Sequence, residues 1–350
     1  MLAKTAGTVR YCYNWGLAKW NEMYKNGESC STCELSRLWT KERPEWSKEV
    51  SRCPQTRAFM ILGAAFASFF KKRTKHPTFH KKGRRDSFYV DTTKGWLKGE
   101  MRIHLPNIGD VRMAEKLRFD GKIQRFVVSK VADKWYVSIA VEMADEPMPE
   151  NDNITPIGID VGSKHWAVAS NGDVLDIPKA IPALEKRLKR AQRSLSRKQK
   201  ASRNRQKARM RVARLHHRIR CVKMDAVHKF TSRIAKNHGV VCCENLCVSG
   251  MGKSVKAIRK AVRNSCMSEL RMLLMYKARH YVEIDRFYPS SKRCSRCGNV
   301  KDELSLSERT YRCESCGNVI DRDLNAAMNI RDEGFRIFTE GHSESACGGR

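Results

Sequence analysis

No stretch of the 350-residue chain stays apolar for 18 residues, so no segment reads as a membrane-spanning helix. The longest candidate, AFMILGAAFASFF (58–70), is too short for a bilayer and reads as a buried helix. No charged-then-apolar leader opens the chain, which sets the expectation against secretion. Acids are scarce as well: 37 Asp+Glu stand against 69 Lys+Arg, a formal charge of +32. Such an excess demands a polyanionic partner, and nucleic acid leads. What the chain does not lack is apolar residues. At 41% they suffice for real cores, which excludes wholesale disorder, and the length points to two or three domains.

In a leaderless basic chain the 14 cysteines read as metal ligands and buried free thiols, not disulfides. Cys242 and Cys243 sit in the apolar run GVVCCENL and read as strand core. Cys12, Cys221, Cys247 and Cys266 also have apolar neighbours and read as buried thiols. Cys294-Ser-Arg-Cys297 and Cys313-Glu-Ser-Cys316 differ: each pair is followed by glycine, and 15 residues separate them. Four thiolates at this spacing converge on one tetrahedral zinc, with no open position for water, so the zinc is structural. Cys30 and Cys33 form another CxxC, but no second pair follows, and they read as free loop thiols.

Hydrophobic periodicity divides the chain. In residues 1–75, Val9, Tyr13, Leu17 and Trp20 recur at helical spacing, as do Phe59, Leu62, Phe66 and Phe70; a polar stretch with Gly27 and Pro44 lies between. Residues 76–150 hold short alternating segments bounded by Gly, Pro, Asp and Asn, which predict a small barrel or sandwich, and DEPMPENDN (145–153) reads as a linker. From PIGIDVG onward three strands follow, then residues 184–223, with 17 Lys/Arg and a single acid, Glu185. Their flanking apolar steps predict two helical arms, joined by a basic turn or continuous through it, that meet phosphates. A strand at 240–243, a helix over roughly 255–280, a strand near 281–288 and a helix from about 321–323 complete the pattern. Residues 336–350 read as a flexible tail.

Three acids stand where acids are awkward: Asp160 interrupts an apolar strand, Glu244 ends another and Asp323 opens the last helix. At one end of a sheet, three such carboxylates can hold two divalent ions, one activating water and one stabilising the leaving oxygen of a phosphodiester. Hard oxygen donors select Mg²⁺ (or Mn²⁺) over zinc. Asp321 competes with Asp323, but two residues apart on a helix they point to different faces, and Asp321 suits the cap.

The ordered set GIDVG, basic insert, ENL, SSKRCSRCG…YRCESCG and DRDLNAAMNI resembles the TnpB proteins of bacterial insertion sequences, relatives of the type V CRISPR nucleases. RYCYNWGLAKW, HPTFHKKGRRDSF, LPNIGDVRM and KWYVSIAVE extend the resemblance upstream. It implies an α+β multidomain protein: a helical recognition lobe (1–75), a small wedge-type β-barrel (76–150) and an RNase H-like (RuvC) α/β nuclease domain (151–335). That domain carries the basic helical insert (184–223) and a zinc ribbon (290–318). Asp160, Glu244 and Asp323 are the implied catalytic triad. The implied activity is RNA-guided, Mg²⁺-dependent cleavage of double-stranded DNA beside a short motif, with guide RNA and target DNA as partners, no membrane, and a prokaryotic cytoplasmic setting. Members of the family usually open with a further strand and helix, and nine residues precede RYCYNW here, so the resemblance leaves two readings open: a barrel short of its first strand, or a sequence that starts inside the protein. Tyr11, Tyr13, Trp15, Trp20, Phe79 and Phe88 could stack on bases, but core packing is the favoured reading. The rival functions are a guide-independent transposase or resolvase, a non-cutting guided repressor and a plain RNA-binding protein.

Overall fold

The computed structural model describes residues 1–84, 86–143, 154–162, 164–245, 266–305 and 308–347, the side chains of 342–347 excepted. The linker 145–153, Cys247 and the first half of the helix expected over 255–280 lie outside the described residues. The chain divides into two compact units, Met1–Met148 and Pro149–Arg350.

The first unit opens with three helices, α1 (Leu2–Lys25), α2 (Thr32–Glu42) and α3 (Arg52–Phe70). The two predicted stripes meet: Tyr13 and Leu17 of α1 pack with Phe59, Leu62 and Phe66 of α3. Phe70, at the end of the second stripe, is exposed. Helix α2 occupies the stretch expected to be merely polar. Ser31 caps it, its Oγ accepting from the Glu34 N–H at 3.1 Å, and Leu35 and Trp39 face the same core. The Ser31-x-x-Glu34 spacing is the capping-box signature that could have revealed it. Core packing holds for Tyr13 and Phe88, which are buried, and for Trp15 and Trp20, which pack against the helical core; Tyr11 and Phe79 are exposed.

Two antiparallel sheets follow. One pairs β1 (Ser87–Asp91), β5 (Lys122–Val131) and β6 (Lys134–Glu142) in the order β1-β5-β6. The other pairs β2 (Trp96–Leu97), β3 (Arg102–Leu105) and β4 (Gly109–Arg112). Their inward residues Phe88, Val90, Ile103, Leu105, Phe126 and Val128 share one core with Ala6 of α1. The expected barrel is therefore corrected: among the described residues there are two sheets and no closed barrel. Strands of two to four residues offer too few ladder bonds to carry β2–β4 round into the longer sheet.

The second unit is built on one mixed sheet, ordered β11-β10-β7-β8-β9. Its strands are β7 (Pro156–Asp160), β8 (Ala167–Ala169), β9 (Val174–Leu175), β10 (Val240–Glu244) and β11 (His280–Ile284). Strands β7 to β9 form an antiparallel meander, whereas β10 runs parallel to both β7 and β11. Helices α4 (Ala180–Ser196) and α5 (Arg203–Asn237) connect the meander to β10, and α6 (Met267–Lys277) precedes β11. One sheet face, with Ile157, Ile159, Val241 and Cys243, packs on Val227 and Phe230 of α5 and Leu270 and Leu274 of α6. The opposite face takes α7 (Arg322–Cys347), whose Ile330 meets Val240 and Cys242. Gly158 is what lets α7 settle there: a Cβ on it would lie 2.0 Å from the Ala327 carbonyl oxygen and 2.4 Å from the Arg331 nitrogen. Cys12, Cys242, Cys243 and Cys266 are buried as expected; Cys221 is exposed on α5, a correction to its buried reading.

Helix α7 runs on to Cys347, with Arg336 paired to Glu333 and Glu340 one turn either side. Such i,i+3 and i,i+4 pairs support a helix whose composition alone reads as loop. Among the described residues, no helix is long and apolar enough to cross a membrane.

Candidate functional site

The alternation of strand side chains puts Asp160 and Glu244 on the α7 face. Gly158 and Asp160 share one face of β7, as do Val240, Cys242 and Glu244 of β10. Register pairs Cys242 with Gly158 and Cys243 with Ile159, so the two acids terminate adjacent parallel strands at the same sheet edge. Helix α7 begins over that edge. Asp321 caps it, its Oδ1 accepting from the N–H groups of Asp323 (2.9 Å) and Leu324 (3.1 Å). Asp321 is thus spent on the backbone, and Asp323 sits in the first turn.

Electrostatics record how closely the acids are gathered. Burial, and then the charges of Glu244 and Asp323, push the Asp160 carboxyl up to about 8, against a smaller pull from Arg322. Burial also raises Glu244, opposed by a hydrogen bond from the Ser290 hydroxyl. With Glu244 and Asp323 both acting on a buried Asp160, the three acids form an oxygen donor set suited to a hard divalent cation, whose charge would relieve the repulsion on Asp160. They do not close into a single tight cluster of the kind the cysteines make.

The cysteine knuckles are built alike. Cys294 N–H donates to Asn299 O (2.8 Å) and Gly298 N–H to Cys294 O (2.9 Å); Cys313 and Gly317 repeat the pattern with Asn318 and Cys313. Both glycines have positive φ, +79° and +69°, as the turn requires. All four Sγ atoms lie within 4.8 Å of one another, with Cys294–Cys316 at 3.7 Å and Cys297–Cys313 at 3.5 Å. Tetrahedral zinc with ~2.3 Å bonds requires sulfurs about 3.8 Å apart, so the cage fits the ion. Burial disfavours the Cys294 thiolate, but the Cys297 and Arg296 amides outweigh it and bring it down to about 6. The Asn318 amide favours the Cys316 thiolate, yet hydrogen bonding with Cys297, Cys313 and Cys294 prevails and pushes it up to about 12. Four sulfurs gathered this closely call for a cation among them, which zinc would supply. Tyr311 of β12 (Thr310–Arg312), which pairs with β13 (Val319–Asp321), is buried against Cys294 and Cys313 in the ribbon core. Cys30 is half-buried and Cys33 exposed.

So small a core cannot hold itself together, and structural zinc contributes roughly 10–16 kcal/mol of binding free energy in comparable sites. Purified protein should carry one zinc per chain, and Cys294→Ser should lose it and lower the unfolding midpoint. Metal analysis with calorimetry checks this; an unchanged midpoint would count against the zinc site.

Helices α4 and α5 form an antiparallel pair, turning through 197–202, where Ser202 Oγ accepts from Arg205 N–H at 3.1 Å. Of the two readings left open by the sequence, the turn is the one found. Ala191 of α4 and Leu215 and Ile219 of α5 are buried, whereas 15 of the 17 Lys/Arg between 184 and 223 are exposed. Arg187, Arg211, Arg214 and Arg218 surround a groove of about 560 Å³ floored by Ala180, Ala183, Leu184 and Leu215.

Sequence reasoning missed three buried polar side chains beside the acids: Ser290, Asn325 and Asn329. Asn325 Nδ2 donates to Arg293 O (2.7 Å), and Asn329 Nδ2 donates to Ser290 O (2.8 Å) and Arg293 O (2.7 Å). The signal was present in DLNAAMNI, where two Asn four residues apart share a helix face with Ala326 and Ile330.

Comparison with known proteins bears on this arrangement. Residues 138–255 match the family described as "Probable transposase" (OrfB of IS605), residues 268–330 match "Cas12f1-like, TNB domain", and residues 1–29 match a helix-turn-helix domain family. A protein of Streptomyces pristinaespiralis named "Putative RNA-guided DNA endonuclease" is 35% identical over 99% of this chain and 87% of its own. Escherichia coli K12 InsQ, named in the same way, is 30% identical over 99% of this chain and 90% of its own. Among solved structures, Cas12f1 in complex with sgRNA and target DNA superposes with a TM-score of 0.54 at 13% identity. That match covers 94% of this chain and 81% of the other, and it shows a shared fold.

Proposed function

The chain belongs to the IS605 OrfB/TnpB family, and from that premise we propose that it is an RNA-guided DNA endonuclease with a two-metal-ion site at Asp160, Glu244 and Asp323. The observation that carries this reading is the convergence of the three acids at one sheet edge, with Glu244 and Asp323 both raising Asp160. The strand order β9-β8-β7-β10-β11, antiparallel then parallel, supports an RNase H-like (RuvC) nuclease domain. Bound there, two Mg²⁺ ions would activate the attacking water and stabilise the leaving oxygen. The three carboxylates would hold them, and Asp321 would keep Asp323 in the first turn of α7. The exposed arginines and lysines of α4 and α5 bind the phosphates of guide RNA and target DNA, reading backbone while base pairing reads sequence. Helices in 1–75 serve as a recognition lobe, and the zinc ribbon is structural.

Sequencing the RNA that co-purifies with the chain tests guidance directly. A discrete RNA species is expected, and digesting it away should abolish cleavage of the matching DNA. Cleavage that persists without RNA would favour a guide-independent nuclease. Binding should also weaken steeply with salt, and replacing Arg187, Arg211 and Arg218 with Gln should reduce the log–log slope by about 2–3. An unchanged slope would remove these helices from the phosphate path.

A further inference from the structure

Buried polar groups are costly unless every bond is made, so a run of them marks a constraint. Ser290, Asn325 and Asn329 are 4%, 0% and 3% exposed and form such a run. Asn325 fastens the chain entering the ribbon to α7 twice: its Nδ2 donates to Arg293 O, and its Oδ1 accepts from Ser295 N–H at 2.9 Å. Asn329, one turn on, grips Arg293 O and Ser290 O together. At the far end of this strap the Ser290 hydroxyl donates to Glu244 Oε1. Helix α7 therefore holds Asp323 in its own first turn and holds Glu244, which belongs to β10, through Asn329 and Ser290.

A glutamate at a strand end has three free torsions, and burial disfavours its charged carboxylate, so without a hydrogen-bond partner the group would turn toward solvent. We propose that Ser290, itself held by Asn329, is a positioning residue that fixes the Glu244 carboxylate against Asp323 for divalent-cation binding. The inference rests on the two-ion reading of the acid site. It also gives the buried asparagines a purpose beyond ribbon docking: one helix sets the spacing of two acids from different elements. Partners one shell out from a metal ligand are commonly worth ~10–100-fold in metal affinity.

The test is calorimetric titration of Mn²⁺ into the zinc-loaded full chain, with thermal unfolding of each variant alongside. Ser290→Ala should weaken Mn²⁺ binding by ~10-fold or more, with little change in midpoint, and Ser290→Thr, which keeps the hydroxyl, should restore it. Asn329→Ala should also weaken binding. Because it acts through Ser290, the double variant should bind no more weakly than the weaker single variant. Wild-type affinity in Ser290→Ala, alongside lost affinity in Asp160→Ala, would overturn the positioning role and leave the two-ion reading standing. If Asp160→Ala binds Mn²⁺ as the wild type does, the two-ion reading falls and the inference with it. Should Ser290→Ala fail to fold, Ser290→Thr decides: near-wild-type affinity supports the role, and a ~10-fold loss overturns it.

Discussion

Asp160→Ala is expected to abolish guided DNA cleavage, by at least about 10³-fold, while guide and target binding stay close to wild type. The loss is large because the alanine removes the acid on which the other two act. Binding should survive because, in the proposed reading, the exposed basic residues of α4 and α5 and not the acids would meet the phosphates. Folding should survive too. A carboxyl raised from 3.8 to about 8 in the folded chain binds its proton more tightly there than when unfolded. Its contribution to stability is present below about pH 4 and is lost as pH rises through about 8. In chelator at pH 8, Asp160→Asn should therefore melt above the wild type, by several degrees. A variant that melts lower, or that still cuts, would contradict the assignment.

Gly158→Ala should be the most damaging single methyl in the second unit. The new Cβ would meet the Ala327 oxygen at 2.0 Å, the Arg331 nitrogen at 2.4 Å and the Arg331 Cα at 3.0 Å, all backbone atoms of α7. No rotamer change relieves a clash with backbone, so the helix must lift from the sheet. The expected cost is about 3 kcal/mol or more. At roughly 2–4 °C per kcal/mol for a unit of this size, the midpoint should fall by roughly 6–12 °C. Cleavage should fall further than stability alone accounts for, because α7 carries Asp323 away from Asp160. Gly341→Ala on the same helix adds a methyl that meets nothing within 4 Å, so it is the matched control. Equal midpoints for the two variants would show that α7 does not pack on β7 as described.

What could be read from residues alone was whatever a short-range pattern encodes. Paired CxxC-Gly knuckles specify a cage through local turns, and the apolar runs around Asp160 and Glu244 mark strands that must be buried. The two stripes of α1 and α3 were legible for the same reason, since helical spacing declares a face. Helix α2 was hidden because only Leu35 and Trp39 of its 11 residues are buried, too few to make a stripe. The β segments were recognised as strands, but closure into a barrel depends on how far β2–β4 reach, which alternation does not record. Cys221 reads as buried beside Val222, yet one step along a helix turns a side chain by about 100°, enough to face solvent. The strap from α7 to Glu244 was beyond reach for another reason. Its bonds join residues 244, 290 and 329, and nothing local links a serine before a zinc knuckle to a glutamate 46 residues earlier.

If the three acids cut DNA under RNA guidance with a divalent metal, cleavage requires protein, matching guide and metal at once. Wild-type chain carrying its co-purified RNA is incubated with DNA matching that RNA, in Mg²⁺ and in chelator, beside Asp160→Ala and a mismatched DNA. Discrete cleavage is expected only with wild-type protein, matched DNA and Mg²⁺ together. Cleavage of the mismatched DNA, cleavage in chelator, or cleavage by Asp160→Ala would contradict it.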